Sequence, residues 1–385
     1  MRIAIATRIF DPEPSAASFR LSALASRFAE SGDVVRVLTV RPPEGAVPSA
    51  TNYRVTRFPV LRDSTGYVRG YAQYMSFDIP LWFRILLGRG QDALVVEPPP
   101  TTALSATVAA WVRRIPVFPY AADVWSDASE STGAPSFVVR AVRWMERVAW
   151  NRAAGVLAVN EGVAERVKAI APRARVRVVG NGIDTAVFRP DGETAAAAPS
   201  GAYAIYTGTA SEWQGAEVFV RAVAELNRAG TPISLVFLGQ GTAFAELRAL
   251  AEELSAPVEF HDPVPPHEAA AWLRGATVSL ASIRPGAGYD FAYPTKVFAA
   301  WGCGTPVVYA GPGPARDALA KTTMLGEGTD YDDAAVAGAI RRVAERGSSS
   351  RQDIANWAVR NVSLAGVADR VVEFVREQTG RGTRA

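Results

Sequence analysis

Residues 293–311, YPTKVFAAWGCGTPVVYAG, decide how the rest of the chain is read. They join a helix start, a lone lysine and an apolar strand that ends in glycine. Pro294 has the fixed φ and missing donor that suit a helix's first turn. Thr295 and Lys296 therefore fall where free backbone N–H groups and the positive end of the helix dipole point outward. A phosphate group fits such a place. Lys296 stands out further because the chain has three lysines, Lys168, Lys296 and Lys321, and otherwise relies on arginine. By itself the segment also reads as a capped surface helix with a snorkelling lysine, so its surroundings must decide.

At 385 residues the chain is too long for one ordinary domain of roughly 100 to 200 residues, and two domains are expected. With 49% hydrophobic and 21% charged residues, the composition is that of a globular protein. No apolar run approaches the ~20 residues of a membrane span. The opening MRIAIATRIF runs straight into strand-like alternation without an apolar leader and cleavage site, so a cytoplasmic location is expected. A single cysteine, Cys303, excludes an intramolecular disulfide, and its place in a helical apolar run argues against a nucleophile. Two histidines, His261 and His267, with no second cysteine argue against structural zinc, and no metal site is expected. The net charge of +3 comes mostly from scattered arginines, which give no reason to expect a nucleic-acid partner.

Along the first half, strand and helix alternate. A strand over 1–7 is followed by a polar loop, a helix from about 19 to 30 and a second strand over 34–40. The loop carries the small residues Ser15, Ala16, Ala17 and Ser18 at the carboxyl end of the first strand, the edge where parallel sheets bind ligands. Further strands are expected near 53–58, 93–96, 117–120, 155–159 and 175–179, with helices over 67–87, 101–113, 135–154 and 161–170. After the strand at 117–120 comes AADVWSD, which places Asp123, Trp125 and Asp127 just beyond a strand's carboxyl end. They read equally as ligand groups or as a cap for the next segment. In the helix over 135–154, Arg140, Arg143 and Arg147 form one stripe. Such a stripe is usually solvated, but it also suits an anionic membrane surface or a pyrophosphate-bearing acceptor.

NGID, residues 181–184, interrupts the alternation with turn formers, and a small-residue linker follows. The same pattern then restarts: strand 202–206, loop TGTASEWQG, helix 216–228, strand 233–238, loop GQG, helix 243–254. Gly208, Gly215, Gly239 and Gly241 lie at strand-to-helix turns, where a missing side chain lets backbone amides reach a phosphate or sugar. The expected organisation is a first Rossmann-like domain over 1–183, a linker over 184–200 and a second Rossmann-like domain over 201–362. A closing helix and tail, 363–385, would pack back on the first domain.

Two such α/β domains joined by NGID, then a GxG turn and P-T-K-x6-C-G-T-P-V-V, resemble the retaining glycosyltransferases of family 4, over nearly the whole chain. The opening DPEPSAASFRLSALASRFAESGDVVRVLT, VNEGVAERV and VVGNGIDTAVFRP are similar to the family's first βαβ unit and crossover region. DVWSD, the WQG turn and PTK resemble the branch of bacterial N-acetyl-fucosamine transferases of surface polysaccharide assembly. The resemblance implies the GT-B fold, α/β with two doubly wound domains facing each other across a cleft. The second domain would hold a nucleoside-diphosphate sugar as donor substrate, with no cofactor, through Gly208, Thr209, Gln214, Gly215, Gly239, Gly241, Pro294, Thr295 and Lys296. The first would hold a sugar, lipid-linked sugar or small-molecule acceptor near Ser15, Ala16, Ala17, Asp123 and Trp125. Peripheral contact with the inner face of the membrane is compatible with the arginine stripe.

The sequence departs from the family pattern in several places. The usual pair of glutamates falls at Phe291 and Ala299, and the customary arginine and lysine of the second domain's first loop fall at Thr209 and Gln214. The first-domain histidine has no counterpart, and Asp123 takes roughly its place. Phosphate neutralisation would then rest on Lys296, the helix amides beside it, and Arg284 or Arg8. The implied reaction is metal-independent transfer with retention, Lys296 stabilising the departing diphosphate, Arg284 assisting and Asp123 orienting acceptor or sugar. A second reading is a GT-B binding or assembly partner without catalysis. A sugar-nucleotide epimerase would want more carboxylates or histidines than this chain offers.

Overall fold

The computed structural model describes residues 1–13, 15–43, 45–63, 66, 68, 70–88, 90–347 and 351–380. The chain forms two compact units: Met1–Asn181 with Leu364–Ala385, and Gly182–Ser363.

The first unit runs β1 (Arg2–Ala6), α1 (Ala16–Glu30), β2 (Val34–Val40), β3 (Arg54–Phe58), α2 (Tyr71–Leu86), β4 (Ala93–Val96), α3 (Pro100–Val112), β5 (Val117–Ala121), α4 (Trp125–Ser131), α5 (Ser136–Arg152), β6 (Val156–Ala158), α6 (Glu161–Ile170) and β7 (Val176–Val178). The strands form one parallel sheet in the order β3-β2-β1-β4-β5-β6-β7. β4 and β5 are buried along their whole length, as expected for strands covered on both faces. α2 turns Phe77, Leu81 and Ile85, spaced one turn apart, onto this core. The start expected for this helix, residue 67, lies outside the described residues; the observed helix begins at Tyr71.

The second unit runs β8 (Tyr203–Thr209), α7 (Glu217–Arg228), β9 (Ser234–Gln240), α8 (Phe244–Glu253), β10 (Val258–His261), α9 (Pro266–Gly275), β11 (Val278–Ser282), α10 (Thr295–Gly302), β12 (Val307–Ala310), α11 (Pro314–Lys321), β13 (Gly326–Thr329), α12 (Asp333–Glu345) and α13 (Arg351–Val362). Its sheet, β10-β9-β8-β11-β12-β13, is also parallel throughout. Residues 184–200 do not behave as a free linker. Phe188, Ala195 and Ala198 pack on the core beneath α10, and the Ala195 amide donates to the Ala271 carbonyl at 3.2 Å. The polar, small composition of that stretch conceals these few apolar anchors.

The last helix, α14 (Leu364–Gln378), belongs to the first unit and packs on α1. Its arginines reach back to the start of the chain: Arg376 pairs with Asp33 at 2.9 Å, and Arg370 donates to the Val179 carbonyl at 2.8 Å. Phe374 is buried edge-on against Phe118, with ring centroids 6.1 Å apart, and fills the space beside Gly155. The tail beyond residue 380 is outside the described residues.

Removing that ring should open a cavity at the junction of helix and sheet. Phe374→Ala is expected to destabilise the first unit by about 3–5 kcal/mol, measured by urea denaturation. A loss below about 1 kcal/mol would show that α14 does not cap this core.

Candidate functional site

In both units the strand order reverses beside the first strand, between β1 and β4 and between β8 and β11. The carboxyl edge at such a switch point opens a crevice for ligands. The two edges carry different chemistry.

In the second unit, α10 begins at Lys296's own segment. Pro294 is the N-cap, one position earlier than the first-turn placement expected, and Thr295 is the first helical residue. The Thr295 and Lys296 amides have no acceptor within the helix, because a helix's first N–H groups precede any partner carbonyl. The Lys296 side chain folds over the end of β8. Its Nζ donates to the Thr209 carbonyl at 3.1 Å and lies 3.2 Å from the centroid of the Tyr206 ring. Among the described residues no carboxylate pairs with it. Part of the residue stays open to solvent, yet burial of the ammonium pulls its pKa well below the ordinary lysine value. A cation held by a carbonyl and an aromatic face is only partly compensated, which favours an anion beside it.

The four glycines expected to cradle a ligand divide. Gly208 is exposed, has a φ of 83°, and a side chain there would meet nothing within 4 Å. It leaves room above β8. Gly239 and Gly241 face their neighbour strand instead: a Cβ on either would overlap the carbonyl of Gly208 or Ala210. Their missing side chains let two turns lie against each other, a packing role that the sequence reading did not foresee. Gly215 faces the Tyr331 hydroxyl. Gln214 has a structural part as well. It is buried, its side chain accepts from the Ser211 amide at 2.9 Å in a capping box, and its carbonyl accepts from Ser282 Oγ at 2.6 Å. Thr209 is exposed and offers its carbonyl to Lys296.

Arg284 follows β11, but its guanidinium is paired with Glu217, so it brings no free charge to the edge. The Tyr331 hydroxyl lies 2.7 Å from the same carboxylate and 2.8 Å from the Gly215 carbonyl. Trp213 stacks on Tyr289 at 4.4 Å, and its carbonyl accepts from the Arg284 amide at 2.9 Å. These contacts stitch the loop after β8 to the loop after β11. Ala299 is buried in the core, so the position where the second of the two usual glutamates would align holds no polar group.

In the first unit, buried charges gather at the ends of β1, β4 and β5. Arg20 of α1 pairs with Glu97 at 2.6 Å, both almost fully buried, and lies over the Tyr120 ring at 4.7 Å. Arg8, just past β1, donates to the Val68 carbonyl at 2.9 Å and covers the Tyr74 ring at 4.1 Å. Asp78 of α2 is bound by the Thr102 hydroxyl. Burial raises the carboxyls of Glu97 and Asp78, Arg20 opposing it for the first and Thr102 for the second. Asp123 is exposed and within electrostatic reach of Arg20 and Glu97. Arg8, Arg20, Asp78 and Glu97 each keep one buried polar atom without a partner among the described residues. The cluster therefore has hydrogen-bonding capacity beyond what the protein uses.

The sequence reading missed Arg20, Asp78 and Glu97, and it gave Ser15 a different task. Ser15 is the N-cap of α1 and accepts from the Ser18 amide at 3.0 Å, so the helix starts at Ala16. Ala16 and Ala17 form its first turn beside β1's carboxyl end. Asp127 is taken up by Arg166, at 2.6 and 2.7 Å. Trp125 opens α4, and its amide donates to Glu146 Oε1 at 2.7 Å. Among the described residues no three His, Cys, Asp or Glu side chains gather as metal ligands.

Burial raises the Glu146 carboxyl from 4.5 to about 7, against backbone hydrogen bonds that lower it. The folded chain then binds the proton more tightly than the unfolded one. Glu146's favourable contribution is complete below its unfolded value and is lost as pH rises through about 7. The loss is on the order of 3 kcal/mol. Denaturation at about pH 5 and about pH 8 should show this difference in the wild type and a smaller one in Glu146→Gln. Equal pH dependence in both would refute the raised pKa.

Comparison with known proteins adds to this geometry. Residues 16–182 match the family described as "Glycosyl transferase 4-like domain", and residues 201–346 match "Glycosyl transferases group 1". A D-inositol 3-phosphate glycosyltransferase of Acidothermus cellulolyticus is 31% identical over 192 residues, covering 45% of this chain and 41% of that protein. One from Nocardioides is 31% identical over 238 residues, covering 54% of this chain and 47% of that protein. The chain thus spans under half the length of the curated relatives it matches. Among solved structures, a sucrose-phosphate synthase from Thermosynechococcus elongatus superposes with a TM-score of 0.77 at 15% identity, covering 98% of this chain and 99% of that one. HepE of Anabaena in complex with UDP superposes at 0.72 and 14% identity, covering 98% and 100%. The chain thus has the GT-B fold, built from a glycosyl transferase 4-like domain over residues 16–182 and a domain of the group 1 glycosyl transferases over residues 201–346.

Proposed function

We propose that the protein transfers a sugar from a nucleoside diphosphate to an acceptor hydroxyl, with retention at the anomeric carbon. The observation that carries this reading is Lys296: a part-buried cation with no carboxylate partner among the described residues, set at the first turn of α10 and bonded to the carbonyl of Thr209, which follows the exposed Gly208. When the donor's glycosidic bond breaks, negative charge grows on the leaving diphosphate. Lys296 and the free amides of Thr295 and Lys296 are already aimed to receive it, so little reorganisation is needed at the moment of reaction. They take the role that a divalent ion has in other transferases. In a same-face displacement the departing phosphate oxygen can accept the acceptor's proton, and no separate protein base is required. The likeness to HepE, solved with UDP, makes UDP the first nucleotide to test.

The acceptor is proposed to lie at the first unit's edge, where Arg8, Arg20, Glu97 and Asp123 offer both donors and acceptors to a polyhydroxylated molecule. Asp123, open to solvent there, is proposed to orient the hydroxyl. Polysaccharide, glycolipid or natural-product glycosylation fits such an edge. DVWSD, the WQG turn and PTK support a place beside the bacterial N-acetyl-fucosamine transferases. A second reading, an assembly partner without catalysis, draws support from buried Ala299 and from the pairing of Arg284 with Glu217.

Melting of the protein with UDP, GDP, dTDP and ADP in turn separates these readings. A nucleotide at about a hundred times its dissociation constant stabilises by about 2.7 kcal/mol, a shift of several degrees. We expect a shift with one nucleotide that is lost in Lys296→Ala. Without nucleotide, Lys296→Met should melt higher than wild type, since it removes a poorly compensated charge. A shift that survives Lys296→Ala contradicts the assigned role, and no shift with any nucleotide favours the assembly partner.

A further inference from the structure

We propose that the outer face of α2, α3 and α5 docks on a lipid bilayer that contains anionic headgroups. Nine of the fifteen large apolar side chains exposed among the described residues belong to these three helices, counting Leu87 at the end of α2. Trp111 is 70% exposed, and Trp144 is 58% exposed. α2 packs on α3 and α3 on α5, so the three form one layer. Isolated apolar residues on a surface need no explanation, but a concentration of this kind on one layer does.

Charge identifies the partner. The three helices hold two acidic residues, Asp78 and Glu146, and both are buried. Their outward charges are arginines. The stripe read from the sequence is altered by the structure: Arg143 is bound to Glu130 at 2.8 Å and partly withdrawn. Arg140 and Arg147 stay exposed, make no ion pair among the described residues, and alternate with Phe137 and Trp144 along one side of α5. Arg113 and Arg114 follow Trp111 and Val112 at the end of α3. Between the ends of α3 and α5 an open groove of about 650 Å³ is lined by Trp111, Val112, Arg114 and Arg152, among others. Aromatic rings beside arginines suit the boundary where headgroup phosphates meet acyl chains. A second copy of the chain would bring arginine against arginine.

Position adds a further argument. The ends of α2, α3 and α5 lead into β4, β5 and β6, so Phe83, Trp111 and the groove lie toward the amino edge of the sheet. The Trp111 end of the layer therefore lies at the opposite edge of the sheet from Arg8, Arg20 and Glu97, while Tyr71 and Phe137 sit at the starts of α2 and α5. No helix among the described residues is long and apolar enough to cross a membrane, so the contact is with the surface.

Sedimentation with vesicles of phosphatidylcholine, alone and mixed with phosphatidylglycerol, tests the proposal. Binding is expected with the mixed vesicles only, weakening as salt is added. Replacing Arg140 and Arg147 by Gln should reduce it about fivefold for each, and Trp111→Ser with Trp144→Ser should reduce it further, both variants melting with the wild type. Equal binding to the two vesicle types, no binding to either, or unchanged binding by the variants would overturn the proposal. So would a dimer that the tryptophan variant dissociates, since the face would then be covered by a second copy. None of these outcomes bears on the nucleotide site, which belongs to the second unit.

Discussion

The contact between the Lys296 ammonium, the Thr209 carbonyl and the Tyr206 ring is the interaction on which the second unit's edge depends. It links the first turn of α10 to the end of β8 and sets the ammonium over the centre of the sheet's edge. Around it the neighbouring loops are tied by contacts that leave Lys296 alone. Ser282 holds Gln214, Tyr331 and Arg284 converge on Glu217, and Trp213 stacks on Tyr289. Glu217 and Arg284 are thereby occupied, while among the described residues no carboxylate pairs with Lys296. A protein tolerates such a charge where it serves function, at some expense of stability.

The first unit solves the same problem differently. Its carboxyl edge also carries buried charge, but there Arg20 and Glu97 neutralise each other and the surplus is polar instead of cationic. Two units of one architecture therefore present edges of different electrostatic character. One is balanced and rich in hydrogen-bonding groups, as a hydroxyl-bearing molecule requires. The other is a cation beside a helix dipole, as a diphosphate requires. Division of labour between them lies in the side chains at the edges, while the sheets behind them are alike.

Much of this was legible in the chain. Near-continuous apolar runs gave the parallel strands, because both faces of those strands are covered, while the first domain, read as ending at 183 within NGID, divides from the second unit between Asn181 and Gly182. Lys296 could be singled out because lysine is scarce and a proline precedes the helix. Local signals were also underused: Ser211 to Gln214 has the spacing of a capping box, and Ser15 precedes small helical residues as an N-cap does. Other features had no local signal. Gly239 and Gly241 look like phosphate-loop glycines until the Gly208 and Ala210 carbonyls are placed beside them. Arg20 sits within an ordinary helical pattern, and its pairing with Glu97 spans 77 positions, as the pairing of Arg284 with Glu217 spans 67. Such partners emerge only when the sheet order is known.

The central claim is that Lys296 is an under-compensated cation awaiting a diphosphate, and its own titration tests this most directly. With three lysines in the chain, isotopic labelling of lysine gives three side-chain signals, and Lys296→Met assigns one of them. The account predicts a Lys296 pKa well below the ordinary lysine value in the free protein, rising when the nucleoside diphosphate is added. An ordinary pKa that the nucleotide leaves unmoved would contradict it.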